Sequence, residues 1–147
     1  MVVRALAAMA DAKTRALAGV ALFAHCGPRD LEFVASRADE VDVAAGHQLL
    51  RQGQPGDTFF VLLEGAAAVD VDGQPRRTLG PGDFFGEISM LDRGRATATV
   101  VARTPARLMV MSHAQFRDAI KANDHLLGRV MSAAAGHLRR DAMEQQA

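Results

Sequence analysis

The sequence predicts a mainly β domain with helices at both ends, folded as a sandwich or closed roll. Three observations carry that expectation. Nine of the 13 glycines fall between Gly46 and Gly94, together with Pro55, Pro75 and Pro81. Short runs of β-branched and apolar residues sit between these breakers, at the roughly 8–12-residue spacing of all-β domains and not of βαβ units. Both flanks change period, to apolar residues three and four apart.

Residues 1 to about 38 read as helical. Arg4 to Leu22 is dominated by Ala, Leu, Met, Lys and Arg, with only Gly19 interrupting, and these are strong helix formers. Gly27-Pro28 breaks the pattern. Asp30 is then placed to cap a second, short helix with Leu31, Phe33, Val34 and Ala38 on its apolar side. The strand candidates follow in order: Glu40–Val43, Gln48–Arg51, Thr58–Glu64, Ala67–Val71, Arg76–Leu79, Thr97–Ala102 and Arg107–Met111. Val69 and Val71 alternate with Asp70 and Asp72, which suits a strand with one wet face. Asp72-Gly73 offers the hairpin turn after it. Helical spacing returns at Ala114–Ala122, where Phe116 and Ile120 stack four apart, and Asn123-Asp124 can cap the next helix. That last helix, to about Met143, carries Leu126, Val130, Ala134 and Leu138 at four-residue steps, flanked by Leu127 and Met131. The basic pair Arg139-Arg140 suits its C-terminal end.

Composition removes several classes of function. The 147 residues hold 17 basic and 17 acidic side chains, for a formal charge of zero, so the basic footprint of a nucleic-acid-wrapping protein is missing. A hydrophobic fraction of 49% lies outside the disordered class. Apolar runs are too short to span a bilayer, and the start lacks a basic stretch followed by a long apolar one, so no secretory signal is evident. The expectation is a cytoplasmic protein. One cysteine, Cys26, excludes an intramolecular disulfide framework and reads as a small buried hydrophobe. The 15 Arg against two Lys, with abundant Ala, Gly and Val, read as the coding bias of a GC-rich, bacterial-type genome. His25, His47, His113, His125 and His137 share no metal spacing, so no metal is expected. With no Ser-His-Asp set, Walker lysine or HExxH motif, the reading is a non-enzyme.

The informative segment runs from Leu79 to Ala102. Gly86 lets backbone approach a ligand closely, and Glu87–Leu91 can form a short helical turn whose first amides point outward. Glu87 at the rim could accept from a sugar hydroxyl, and a nearby arginine could grip phosphate oxygens. That pairing suits a ligand whose hydroxyl and phosphate are held apart.

This segment resembles the phosphate-binding cassette of the cyclic nucleotide-binding domain family, which includes catabolite-activator-type regulators, protein kinase A regulatory subunits and cyclic-nucleotide-gated channels. The resemblance continues upstream through Gly46-His-Gln-Leu49, Gly53, Gly56-Asp57 and Phe59–Gly65, and covers roughly residues 22–140. It implies an eight-stranded antiparallel β-roll of jelly-roll type with N-terminal helices and two C-terminal helices. The chain is then one domain over residues 1–147: helices to 38, roll over 39–113 with the cassette at 85–98, and helices over 114–143.

The resemblance also implies site roles. Phe85, Gly86 and the amides of Glu87, Ile88 and Ser89 face the cyclic phosphate, and Glu87 holds the ribose 2′-hydroxyl. Thr97 and the Ala98 amide complete the phosphate shell, and a guanine base can also use Thr97. Val61, Leu63 and Val69 pack the base, and the last helix closes over it near His137. The ligand implied is cAMP. One position departs from the family, whose arginine immediately precedes the hydroxyl residue. Here Ala96 takes that slot, and a one-residue slip would instead aim Arg95 at the phosphate.

Three readings stand at this point. The first is a cAMP sensor whose signal passes through the last helix, with the terminal helices open to a homodimer or protein partner. The second is an interaction module of the same fold that has lost nucleotide binding, on account of Ala96. The third is the sensory half of a longer transcription regulator. A DNA-reading helix with its turn needs roughly 20 residues beyond the last helix, so this chain itself is not expected to bind nucleic acid.

Overall fold

The computed structural model describes residues 13–146, with side chains over 13–140; the first half of the expected N-terminal helix lies outside that range. Residues 13–18 are helical, and a 3-10 turn follows at Ala21–Phe23. Helix α1 spans Pro28–Ser36. Gly27 is its N-cap and Pro28 takes the first helical position, where proline loses no hydrogen bond. Asp30 therefore stands in the first turn and is not the cap.

Eight strands form two four-stranded sheets, and every pairing between neighbouring strands is antiparallel. They are β1 (Asp39–Val43), β2 (Gln48–Leu50), β3 (Thr58–Glu64), β4 (Ala67–Val71), β5 (Gln74–Leu79), β6 (Phe84–Phe85), β7 (Thr99–Ala102) and β8 (Ala106–Ser112). The sheets run β1-β8-β3-β6 and β2-β7-β4-β5, the eight-stranded roll with flanking helices that the sequence implies. Helix α2 (Glu87–Asp92) sits between β6 and β7, and α3 (His113–Ala122) and α4 (Asp124–Gln146) follow β8.

Local chemistry explains the boundaries. Asp72 and Gly73 both take positive φ, 52° and 77°, as a two-residue hairpin turn with inward twist requires. Strand β5 opens with Gln74-Pro75, which is tolerated because β5 is a sheet edge. Thr97 and Ala98 lie before β7, in a loop pinned by Gly53 N–H to Ala96 O at 2.9 Å and Ala96 N–H to Gln54 O at 2.8 Å. Ser112 and Gln115 make a reciprocal capping box at the start of α3. Asn123 Oδ1 accepts from the backbone N–H groups of His125 and Leu126 at 3.1 and 3.3 Å, capping α4 as its sequence suggests. Helix α4 continues to Gln146, so Arg139-Arg140 lie inside it and not at its end.

Two cores share β3. Phe60 and Leu62 point into the roll with Val69, Leu79, Phe85, Val100 and Leu108. Phe59 and Val61 point the other way, against Leu17, Val34, Phe116, Leu126 and Val130 of the helical layer. Burying each such side chain contributes about 1.5–3 kcal/mol. On α4, Leu126, Val130 and Ala134 are buried, whereas Leu138 is 49% exposed along with Met131 at 55%. Cys26 is half-buried and accepts from Asn123 Nδ2 at 3.2 Å; burial above all pushes its thiol pKa up. Among the described residues, no helix is long and apolar enough to cross a membrane.

Candidate functional site

The site begins at a backbone feature. Gly86 has φ +87° and is the N-cap of α2. A Cβ there would lie 2.5 Å from the carbonyl oxygen of Thr58 on β3, so the cassette rests directly on the central strand. A second close approach holds its other side: a Cβ on Gly56 would lie 2.2 Å from Ser89 Oγ. Ser89 itself is 3% exposed.

Glu87 is 2% exposed. It forms part of the inner wall and not the solvated rim that the sequence suggests, because α4 crosses over the first turn of α2. His137 Nδ1 of α4 meets Glu87 Oε1, and the His137 ring leans on Phe84 at 5.9 Å between centroids. His137, expected near the base, thus reaches the ribose-binding candidate.

These residues bound one cavity of about 60 Å³. Phe85, Gly86, Glu87, Ile88, Ser89, Thr97, Ala98, Val69 and His137 all line it, as do Ala96 and Arg77. Its volume holds a few waters, far below the roughly 300 Å³ at which small-molecule sites begin. His137 of α4 closes one side of this space.

Three sequence-predicted residues are elsewhere. Val61 and Leu63 belong to the face of β3 that meets the helices, since side chains alternate along a strand and an error of one residue exchanges the faces. Arg95 is also outside the cavity. Its Nη1 donates to Gly53 O at 2.7 Å on the surface, and its backbone bridges Pro55. The two hydrogen bonds on Ala96 fix this register, turning the alanine inward and the arginine away.

Leu50, Leu79, Val100, Phe84 and Arg77 also line the cavity and were not expected there. Phe84 belongs to a strand of two residues, too short to show a period. Arg77 stands on β5 opposite Val69. The hairpin register Val71↔Gln74 and Asp70↔Pro75 would continue to Arg76, but a shift between Val69 and Asp70 brings Arg77 there instead. The signal was the inward position two residues before Leu79, and the irregularity concealed it.

A family model described as the cyclic nucleotide-binding domain matches residues 40–123, the whole roll with α3. The cAMP-dependent protein kinase regulatory subunit of Aspergillus fumigatus is 33% identical over 101 residues, which is 67% of this chain and 24% of that protein. Its counterpart in Emericella nidulans is 27% identical over 112 residues, 75% of this chain and 27% of that protein. The chain thus spans about a quarter of the length of these relatives. The crystal structure of the Thermus thermophilus catabolite activator protein superposes with a TM-score of 0.75 at 25% identity, covering 85% of this chain and 61% of that one. A roll closed around a glycine-started cassette, and matched over more than half the chain, leads to one assignment: this chain belongs to the cyclic nucleotide-binding domain family.

Proposed function

We propose that the domain is a non-catalytic sensor that binds a 3′,5′-cyclic nucleotide, cAMP, and reports binding through α4. The observation that carries this reading is Glu87: a buried carboxylate, facing a cavity shared with Gly86, Thr97 and Ala98, and held by a residue of α4. A ribose 2′-hydroxyl donating to Glu87 would take over the place of His137. The cyclic phosphate would then meet the backbone of Gly86–Ser89 and of Thr97–Ala98. Ligand and helix compete for one carboxylate and one small space, so binding shifts the position of α4 by its differential contact with the two arrangements. The relatives named for cAMP dependence support the choice of nucleotide. The outward side of α4, with Leu127, Met131 and Leu138 exposed, is where we place the contact with a second copy or a protein partner.

The outward turn of Arg95 favours a second reading, an interaction module without a nucleotide. Titration calorimetry with cAMP and cGMP separates the two. The sensor reading expects saturable heat, and Glu87→Gln should weaken binding by about 1–3 kcal/mol through the lost charged acceptor. No heat and no rise in melting temperature at millimolar nucleotide would leave the interaction module standing.

A further inference from the structure

We propose that Arg77 supplies the countercharge for the ligand's phosphate, the task Ala96 cannot perform. The proposal rests on the cyclic-nucleotide reading above and adds the residue that makes it electrostatically workable. A cyclic phosphodiester carries one negative charge, and the cavity wall already holds the buried carboxylate of Glu87. Bringing a second anion into that space without a cation is costly. Arg95 is committed to the Gly53 carbonyl outside, and Ala96 offers only a methyl group. Among the described residues lining the cavity, Arg77 is the one arginine or lysine.

Its placement suits the task. The register shift in β4–β5 sets Arg77 across from Val69, which pairs on its other side with Val100; both valines line the cavity. Arg77 therefore stands on the inner face of the roll, half-buried, on a hydrogen-bonded strand. With about 60 Å³ between them, Arg77, Glu87, Thr97 and Ala98 bound a space only a few waters across. Arg77 and the cassette residues Gly86–Ser89 and Thr97–Ala98 thus line the same cavity. A planar fork can also engage two phosphate oxygens, which a lysine ammonium cannot reproduce. The cation that the family supplies from the loop before β7 would come here from β5, the edge strand of the same sheet.

The test is equilibrium titration of cAMP and of cGMP into the full chain and four variants: Arg77→Ala, Arg77→Lys, Ala96→Arg, and Arg77→Ala with Ala96→Arg. Arg77→Ala should weaken both nucleotides alike, by roughly tenfold to a hundredfold. Arg77→Lys should recover only part of that loss, and Ala96→Arg should restore binding to the Arg77→Ala protein. Melting curves confirm folding, and Arg77→Gln serves where the alanine variant is unstable. Arg77→Ala binding within threefold of wild type overturns the assignment. So does a loss confined to cGMP, which would place the guanidinium on guanine O6 and N7. A wild-type chain that binds neither nucleotide removes the sensor reading itself, an outcome visible before any variant is made.

Discussion

Replacing Gly86 by alanine tests whether the cassette is seated on β3 as described. Two costs add. A residue with a Cβ held at φ +87° costs about 1–2 kcal/mol. The new Cβ would also lie 2.5 Å from Thr58 O, nearly an ångström inside ordinary contact. Thr58 cannot simply retreat, because it is paired to Ser112 in the sheet. Overpacking against so fixed a neighbour costs about 1–3 kcal/mol. The total is about 3.5 kcal/mol at mid-range, or a fall in melting temperature of about 7–14 °C for a domain of this size. Gly73→Ala is the control: its φ is +77° but nothing lies within 4 Å of the added carbon, so about 1.5 kcal/mol is expected. Urea unfolding of both variants at 25 °C reads the difference. Equal losses would refute the close approach of Gly86 to β3.

Two further outcomes follow from the same site. His137→Ala should destabilise the domain by about 1–3 kcal/mol, because it leaves a carboxylate of 2% exposure without its partner. Adding Glu87→Gln should then cost much less than the two single changes summed, and simple additivity would show that the contact carries no stability. In hydrogen exchange, saturating cAMP should raise protection at residues 86–97 and lower it along 124–140, where the ligand takes the place of His137 on Glu87, with Thr58–Glu64 little changed. Unchanged exchange along 124–140 would mean that α4 does not report binding.

How far the sequence reveals the molecule depends on the range of the interaction concerned. Thr58–Glu64 and Ala67–Val71 are legible to the residue because breakers bound them tightly, and the Asp72-Gly73 turn and Asn123 cap are set by chemistry within four residues. The cassette is legible as a motif, and nine of its expected site residues line one cavity. The facing of β3 is not legible: Phe59–Leu63 is apolar on both sides, so no alternation says which residues enter the roll. Arg77 is hidden by one register irregularity. The contact of His137 with Glu87 joins positions 50 apart through the crossing of α4 over α2, which no local pattern encodes. Leu138 continues an apolar stripe in sequence, yet α4 has by then run past the helical core.

The pairing of β1 with β8 has a consequence for how this chain reaches its fold. Asp39 meets Val110 and Val43 meets Ala106, so the first strand waits for the last. Closing so long a loop costs chain entropy before any contact repays it, and folds dominated by such pairings form in milliseconds to seconds. The β4–β5 hairpin, joined by two residues, can close in microseconds and is the natural early structure. During synthesis, β3 emerges with Phe59, Phe60 and Leu62 before either core is complete: β8 comes about fifty residues later, and α3 and α4 later still. At the ribosome's roughly 5–20 residues per second, that interval lasts several seconds. Phe59–Leu62, four consecutive buried residues of the finished protein, are therefore an aggregation-prone segment in the nascent one.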